Sequence, residues 1–360
     1  MRTQPSRPAG ACLLFVVALA TEDCGGRTVR TTPHASGVAD VSQLWREPHD
    51  LEARDLLIGP AAGAPRPAAR FTFVKADRTG HSPGYDLRDQ NGIEWSVKRG
   101  TEAQTEVVAS RILWAIGYHQ VPTYYVTEWS MEGGPDGNPG PGRFRPALPN
   151  AKVVGDWAWR ENPFAHTQPF RGLVVANLII NNWDWKTSNN KIYDILNPDA
   201  TGERQYIVRD LGASFGKSDA PGIARVLGAR IAQGNRNNLE DFEAQGFIKS
   251  VTGNRVEFDY KGIYQHVIDT VTVDDVVWTC RLLSRLSDEQ WNAAFTAGGY
   301  APDQAARFIA KLKAKIAEGL ALATKETSNT QFPTPNSKNN RHQHLGVGGW
   351  KLGVDHKMTF

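Results

Sequence analysis

Several short stretches of the chain alternate apolar and polar residues with the period of two that places one face of a strand against a core. RFTFVKADRTGHSPGYDLRD, residues 70–89, reads as two such strands around a loop, and IEWSVKRG, 93–100, as a third that carries Lys98 at its end. VPTYYVTEW, KIYDIL and RQYIVRD continue the pattern, the last two separated by the turn-forming NPDATG. Between them the period lengthens to that of a helix. TEAQTEVVASRILWAIG, 101–117, predicts a helix with Thr101 as N-cap and Gln104 closing a capping box; Arg171 to Ile180 predicts a second helix, and QAARFIAKLKAKIAEGLALA a long final one. The amphipathic SQLWREPHDLEARDLLIG, 42–59, predicts a short docked helix ahead of the first strand. EGGPDGNPGPGRFRPALP, 132–149, is so rich in glycine and proline that it reads as a connector.

Polar residues placed within these elements point to chemistry. On a helical projection Glu106 falls inside an apolar arc made by Val107, Ala109, Ile112, Leu113, Trp114 and Ile116. A carboxylate there requires a partner, because an unpaired buried charge costs several kcal/mol. Lys98 at the end of the preceding strand is the natural one, and Glu102, a turn earlier on nearly the same face, competes for it. Farther on, Asp184 precedes Asn189 by five residues in NNWDWKTSNNKIYD, and Asp210 follows the next hairpin directly before Leu211 and Gly212. Carboxylate and amide oxygens are hard ligands that suit magnesium or manganese. The loop holding Gly80, Ser82 and Gly84 can lay backbone N–H groups over phosphates, or serve as a plain hairpin turn.

In this order the pieces resemble the atypical branch of the protein-kinase-like superfamily, which includes phosphoinositide kinases, toxin-type bacterial kinases and secretory-pathway kinases. The resemblance runs from about Arg70 to Gly319. It implies an α+β, two-lobed protein-kinase-like fold, with a small β-rich N-lobe holding one main helix and a larger, mostly helical C-lobe. It makes Lys98 the phosphate lysine, Glu106 its helix partner, Gly80, Ser82 and Gly84 the phosphate loop, and Asp184 the catalytic aspartate. Asn189 and Asp210 become the metal ligands. It further implies ATP or another nucleotide, magnesium or manganese, and transfer of a phosphoryl or nucleotidyl group to a protein, lipid or sugar hydroxyl. The sequence departs from the family pattern at three points. Asn182 and Trp183, not His-Arg, precede Asp184; the metal motif reads Asp-Leu-Gly; and Lys98 lies closer to Glu106 than is usual.

The first 20 residues hold two arginines, an apolar run from Ala11 to Ala20 and the small-x-small motif Ala18-Leu19-Ala20, the signature of a signal peptide and hence of an exported, periplasmic or secreted protein. Cys24 opens a lipid-anchor alternative that Asp23 disfavours. Boundaries follow: signal peptide 1–20, approach segment 21–67, N-lobe 68–131, connector 132–152, C-lobe 153–324 and a disordered tail 325–360. No stretch reaches the roughly 18 apolar residues of a membrane span. Net charge is +3, without a dense basic block, which argues against nucleic acid as a partner. Cys24 and Cys280 are expected to stay apart, and the paired tryptophans 157/159 and 183/185 to fill the core. There is no Gly-x-Ser-x-Gly elbow, His-Glu-x-x-His helix or Cys-x-x-Cys pair. Export conflicts with a need for ATP, so two other readings stay open: an inactive kinase-fold binding or scaffold module of the envelope, and an exported structural or carbohydrate-binding protein.

Overall fold

The computed structural model describes residues 39–77, 84–135, 139–197, 199, 201–218 and 234–324. The signal peptide, Cys24, Gly80, Ser82 and the tail beyond 324 lie outside them. The described residues from Ala39 onward form one compact unit. Residues 39–67 are part of that body. They form 3-10 turns at Val41–Gln43, Leu51–Ala53 and Gly59–Ala61, where a single short helix was expected, and bury Leu44, Leu51 and Leu56 in the main core. Pro48 and Pro60 each remove a helical donor, which keeps the segment in short turns.

The first lobe is a six-stranded sheet. Its strands in chain order are β1 (Arg70–Asp77), β2 (Gly84–Arg88), β3 (Glu94–Arg99), β4 (Tyr124–Val126), β5 (Ser130–Glu132) and β6 (Gly142–Pro146), and they lie side by side as β4-β6-β3-β2-β1-β5. Neighbours are antiparallel except β1 with β5. The sheet curls, so that Trp129 beside one edge strand meets Phe144 of β6 with ring centroids 5.0 Å apart. Phe71, Tyr85, Leu87, Trp95 and Val97 complete this aromatic core. The presence of β6 corrects the sequence reading of a Gly/Pro-rich connector: every residue from Gly142 to Pro146 is buried and bonded to β3. Its prolines and glycines stand at the ends, where they cost the ladder nothing, while Arg143-Phe144-Arg145 keeps strand alternation.

Helix α1 (Glu102–Ala115) lies between that sheet and the second lobe, which is why nearly all of it is buried. Val108, Ala109, Ile112 and Leu113 belong to the large core. The expected capping box does not form. Thr101 has helical dihedrals and makes no side-chain cap bond, and Gln104 donates instead to the Gly299 carbonyl at 3.0 Å and accepts from Asn237 at 3.1 Å. Tertiary partners have claimed the side chain that the local motif would use.

The second lobe opens with a three-stranded antiparallel sheet, β7 (Ala151–Asp156), β8 (Asn190–Leu196) and β9 (Gly202–Val208). Between β7 and β8 runs α2 (Gln168–Ile179), capped by the Thr167 side chain and begun by Pro169. The rest is mostly helical: α3 (Leu239–Ala244), the hairpin β10 (Ile248–Thr252) and β11 (Arg255–Phe258), then α4 (Gln265–Ile268), α5 (Val273–Ser284), α6 (Asp288–Ala297) and α7 (Pro302–Leu320). Real capping boxes start α5, from Thr272 and Asp275, and α6, from Ser287 and Gln290. Trp157, Trp159 and Trp185 are buried as a stack, with Trp159 and Trp185 4.5 Å apart, so these tryptophans are core residues. Cys280 is a buried free thiol that burial pushes up to a pKa of about 12. Among the described residues no helix is long and apolar enough to cross a membrane.

Candidate active site between sheet and Asp-Leu-Gly loop

Strand alternation gives the first lobe two unlike faces. Val97 and Phe144 point into the aromatic core; Ser96, Lys98, Arg143 and Arg145, the residues between, look toward α1 and the second lobe. Register sets them in pairs, Lys98 opposite Arg143 and Ser96 opposite Arg145. Lys98 Nζ lies 2.7 Å from Asp210 Oδ2, 3.2 Å from Glu102 Oε2 and 3.5 Å from Glu106 Oε2. The lysine therefore meets both helix carboxylates considered for it, with Glu102 the nearer.

Glu106 is held chiefly by other cations. Its Oε1 accepts from Arg145 and lies 3.0 Å from Arg143 Nε, and the side chain is 1% exposed. Burial pushes its pKa up, but Arg143, Lys98 and Arg145 outweigh burial and leave it below the usual glutamate value. Glu102 pairs with Arg236, whose guanidinium also sits 5.0 Å from the Trp183 ring. These arginines were not found from sequence. Their one visible signal was the alternation Arg-Phe-Arg at 143–145, hidden by the surrounding glycines and prolines.

Asp210 is placed by backbone. The Asn189 carbonyl accepts the N–H groups of Arg209 at 2.9 Å and Asp210 at 3.0 Å, which locks the end of β9 to the loop before β8. The turn then passes close under α1: the Gly212 carbonyl accepts from Thr105 Oγ1 at 2.8 Å, and a Cβ there would lie 2.8 Å from Glu102 Cβ. Glycine is needed for that approach. The Asp210 carboxylate accepts the Gly212 N–H at 3.2 Å and is 37% exposed toward the cleft. Although burial opposes ionisation, Lys98 first, then the Gly212 N–H and Arg143, hold its pKa down at about 2.

Asp184 and Asn189 share one loop. Asn189, in the 3-10 turn Thr187–Asn189, donates its amide to the Asp184 carbonyl at 2.7 Å. Asp184 Oδ2 meets Lys186 Nζ at 3.0 Å, and its Oδ1 is buried with no hydrogen-bond partner among the described residues. Lys186, two residues on from the aspartate, is a further cleft residue that the sequence reading passed over. The loop is anchored behind. Asn181 takes a left-handed φ of 53°, donates to the Gly216 carbonyl at 2.8 Å and accepts from Lys315 Nζ of α7 at 2.8 Å. Asn182, two residues before the aspartate, is fully buried and accepts at its carbonyl from Trp185 and Tyr260.

Together these elements enclose a cleft of about 470 Å³, lined by Lys98, Glu102, Arg143, Arg145, Lys186, Asn189, Arg209 and Asp210, with Gly84 and Asp77 at the edge of the sheet. A second cavity of about 270 Å³ adjoins it, where Val121, Leu148, Ala151, Val153 and Tyr193 supply apolar walls and Asp86 and Glu94 acidic ones. Ser96, Arg145 and Arg209 line both. Among the described residues no group of three or more His, Cys, Asp or Glu side chains could hold a metal alone. The donor set instead suits a hard cation that shares its ligands with a phosphate: the Asp210 carboxylate beside the Asn189 oxygen, which stays an acceptor because the amide N–H₂ is committed to Asp184. Of the residues singled out in sequence, the structure brings Lys98, Asn189, Asp210 and Gly84 to one cleft, with Glu106 buried behind Lys98. Asp184 is set back from its wall, 19% exposed.

A curled sheet with one principal helix, over a mostly helical lobe whose hairpin leads into an Asp-Leu-Gly turn, defines a two-lobed kinase-like α+β fold. Among solved structures the chain is similar to a proinflammatory kinase, CtkA, of Helicobacter pylori, at 13% identity and a TM-score of 0.44 over 74% of this chain and 100% of that one. It is also similar to the Rio2 kinase of Chaetomium thermophilum, solved as an ADP/Mg2+-phosphoaspartate complex, at 12% identity and a TM-score of 0.26 over 69% and 72%. No family model and no curated protein matches the sequence. The kinase-like assignment stands on this chain's own strand order and loop geometry.

Proposed function

We propose that the protein is a metal-dependent nucleotide-binding phosphotransferase that acts on a hydroxyl group. The observation that carries this reading is the meeting of Lys98 from β3, Glu102 and Glu106 from α1 and Asp210 from the turn after β9 within 3.5 Å of one ammonium group. Lys98 neutralises the nucleotide phosphates and α1 fixes its position. Asp210 and Asn189 hold magnesium or manganese, which when bound offsets phosphate charge as the phosphoryl group moves. Asp184 receives the proton of the acceptor hydroxyl, with Lys186 beside it to stabilise charge on the moving group. The apolar cavity past Ser96 takes the base, and Gly84 at the edge of the sheet lies over the phosphates. The acceptor is a protein, lipid or sugar hydroxyl, and the amino-terminal pattern adds export to the proposal.

The test is ATP turnover and autophosphorylation of the full chain with magnesium. Asp184→Asn is expected to lose about 10²–10⁴-fold in rate while it still binds nucleotide, and Asp210→Ala to lose both. Turnover that Asp184→Asn leaves intact would refute the mechanism. A second reading, a kinase-fold binding module, is favoured by one observation, that lysines already engage Asp184 and Asp210 at 3.0 and 2.7 Å. It predicts metal-dependent nucleotide binding without turnover in the native protein.

A further inference from the structure

The Lys98–Asp210 arrangement accounts for one phosphate and its metal, but not for the two arginines at the neck between the cavities. Arg145 is 7% exposed, and its Nη2 is committed to Glu106 and to the Arg209 carbonyl, the latter at 3.0 Å. Its Nε, and the Nε of Arg209, are buried without a hydrogen-bond acceptor among the described residues. Arg143, Arg145 and Lys98 pair with Glu106 and Asp210, Glu102 is shared with Arg236, and Arg209 lies beside Arg145 and Arg143 with only Glu106 among these carboxylates acting on it. Cations outnumber carboxylates around this wall. An unmatched buried charge is expensive, and a guanidinium's planar fork is suited to phosphate oxygens.

We infer that Arg145 and Arg209 form a second anion subsite at the neck between the cavities, which holds a phosphate of the ligand independently of the metal. The ligand class is therefore a nucleoside di- or triphosphate: one phosphate at Arg145 and Arg209, a later one at Lys98 and the metal ligands, and the base in the apolar cavity. A nucleoside monophosphate fills only one of the two positions. This deepens the proposed function and rests on it for the base and the metal, whereas the anion subsite itself does not require turnover.

Calorimetric titration of the full chain with pyrophosphate, in chelator and then in magnesium, tests the inference. Wild type is expected to bind pyrophosphate without metal, Arg209→Gln to bind about tenfold more weakly, and Arg209→Lys to recover part of the loss. Asp210→Asn, which removes a carboxylate facing the anion, is expected not to weaken metal-free binding. The inference is overturned if Arg209→Gln, with an unchanged circular dichroism spectrum, binds as wild type does, or if pyrophosphate binds only with magnesium and Asp210→Asn abolishes it. Metal-free binding lost in Arg209→Gln, in a protein that binds ATP but transfers and hydrolyses nothing, upholds the subsite and removes the phosphotransferase reading. Should Arg209→Gln fail to fold, Arg209→Lys decides alone: affinity equal to wild type overturns the fork, and a measurable loss supports it.

Discussion

The two faces of the first-lobe sheet are built from the same strands and do opposite work. On one face Phe71, Trp95, Trp129 and Phe144 make a dry aromatic core. On the other, one residue away along each strand, Lys98, Arg143 and Arg145 crowd around Glu106 and Asp210. The contrast teaches that the sheet's stability and its chemistry are separable by parity. A substitution at an odd or even position of β6 should therefore change one property far more than the other, whereas Glu106 of α1, whose charge is both buried and central, touches both.

Substitutions can break this comparison, and the largest effect is expected on the apolar face. Phe144→Ala removes a ring with no exposure and should cost about 3–5 kcal/mol in denaturant unfolding, while the protein that remains folded keeps its ligand response. Next is Glu106→Gln, which strands Arg143 and Arg145 in a dry setting; a loss toward the lower end of about 3–5 kcal/mol is expected, because Lys98 keeps Asp210 and Glu102. The same variant sharpens the pH behaviour. Glu106 titrates below its ordinary 4.5 in the folded protein, so its contribution is complete above that value and is lost as pH falls through the depressed folded value. Unfolding free energy measured from pH 6 to pH 3 should fall less steeply in Glu106→Gln than in wild type. Smaller again is Lys315→Met, which leaves the Ile179 carbonyl and Asn181 Oδ1 without their donor and should cost about 1–3 kcal/mol. The smallest effect on stability belongs to Lys98→Met, about 1–2 kcal/mol, because Arg143, Arg145 and Arg236 still hold Glu106 and Glu102, although it should erase stabilisation by nucleotide; a large loss of stability with nucleotide binding kept would reverse the assignment of the two faces.

What could be read from the sequence was local. Strand alternation placed β1, β2, β3, β8 and β9, and the buried position of Glu106 followed from helix periodicity alone. The loop with Asp184 and Asn189 and the turn at Asp210 were visible because their polar residues sit at fixed offsets. Features that depend on distant partners were not legible. The β6 strand hid inside a glycine- and proline-rich run, and with it the arginines that hold Glu106. Gln104 satisfied a capping motif on paper but is bonded to Gly299 and Asn237. Lys315, 134 residues from Asn181, carries no local sign that it steadies the loop before Asp184.

The central claim is that Asp210 and Asn189, with Lys98, form a metal-dependent nucleotide site, and a thermal shift tests it most directly. The full chain would be heated with magnesium, with and without ATP, beside Asp210→Ala. At about a hundredfold over its dissociation constant a ligand adds roughly 2.7 kcal/mol of stability. The account predicts a clear rise in midpoint that needs both magnesium and ATP and vanishes in Asp210→Ala. An unchanged midpoint in wild type, or a rise that Asp210→Ala retains in full, would contradict it.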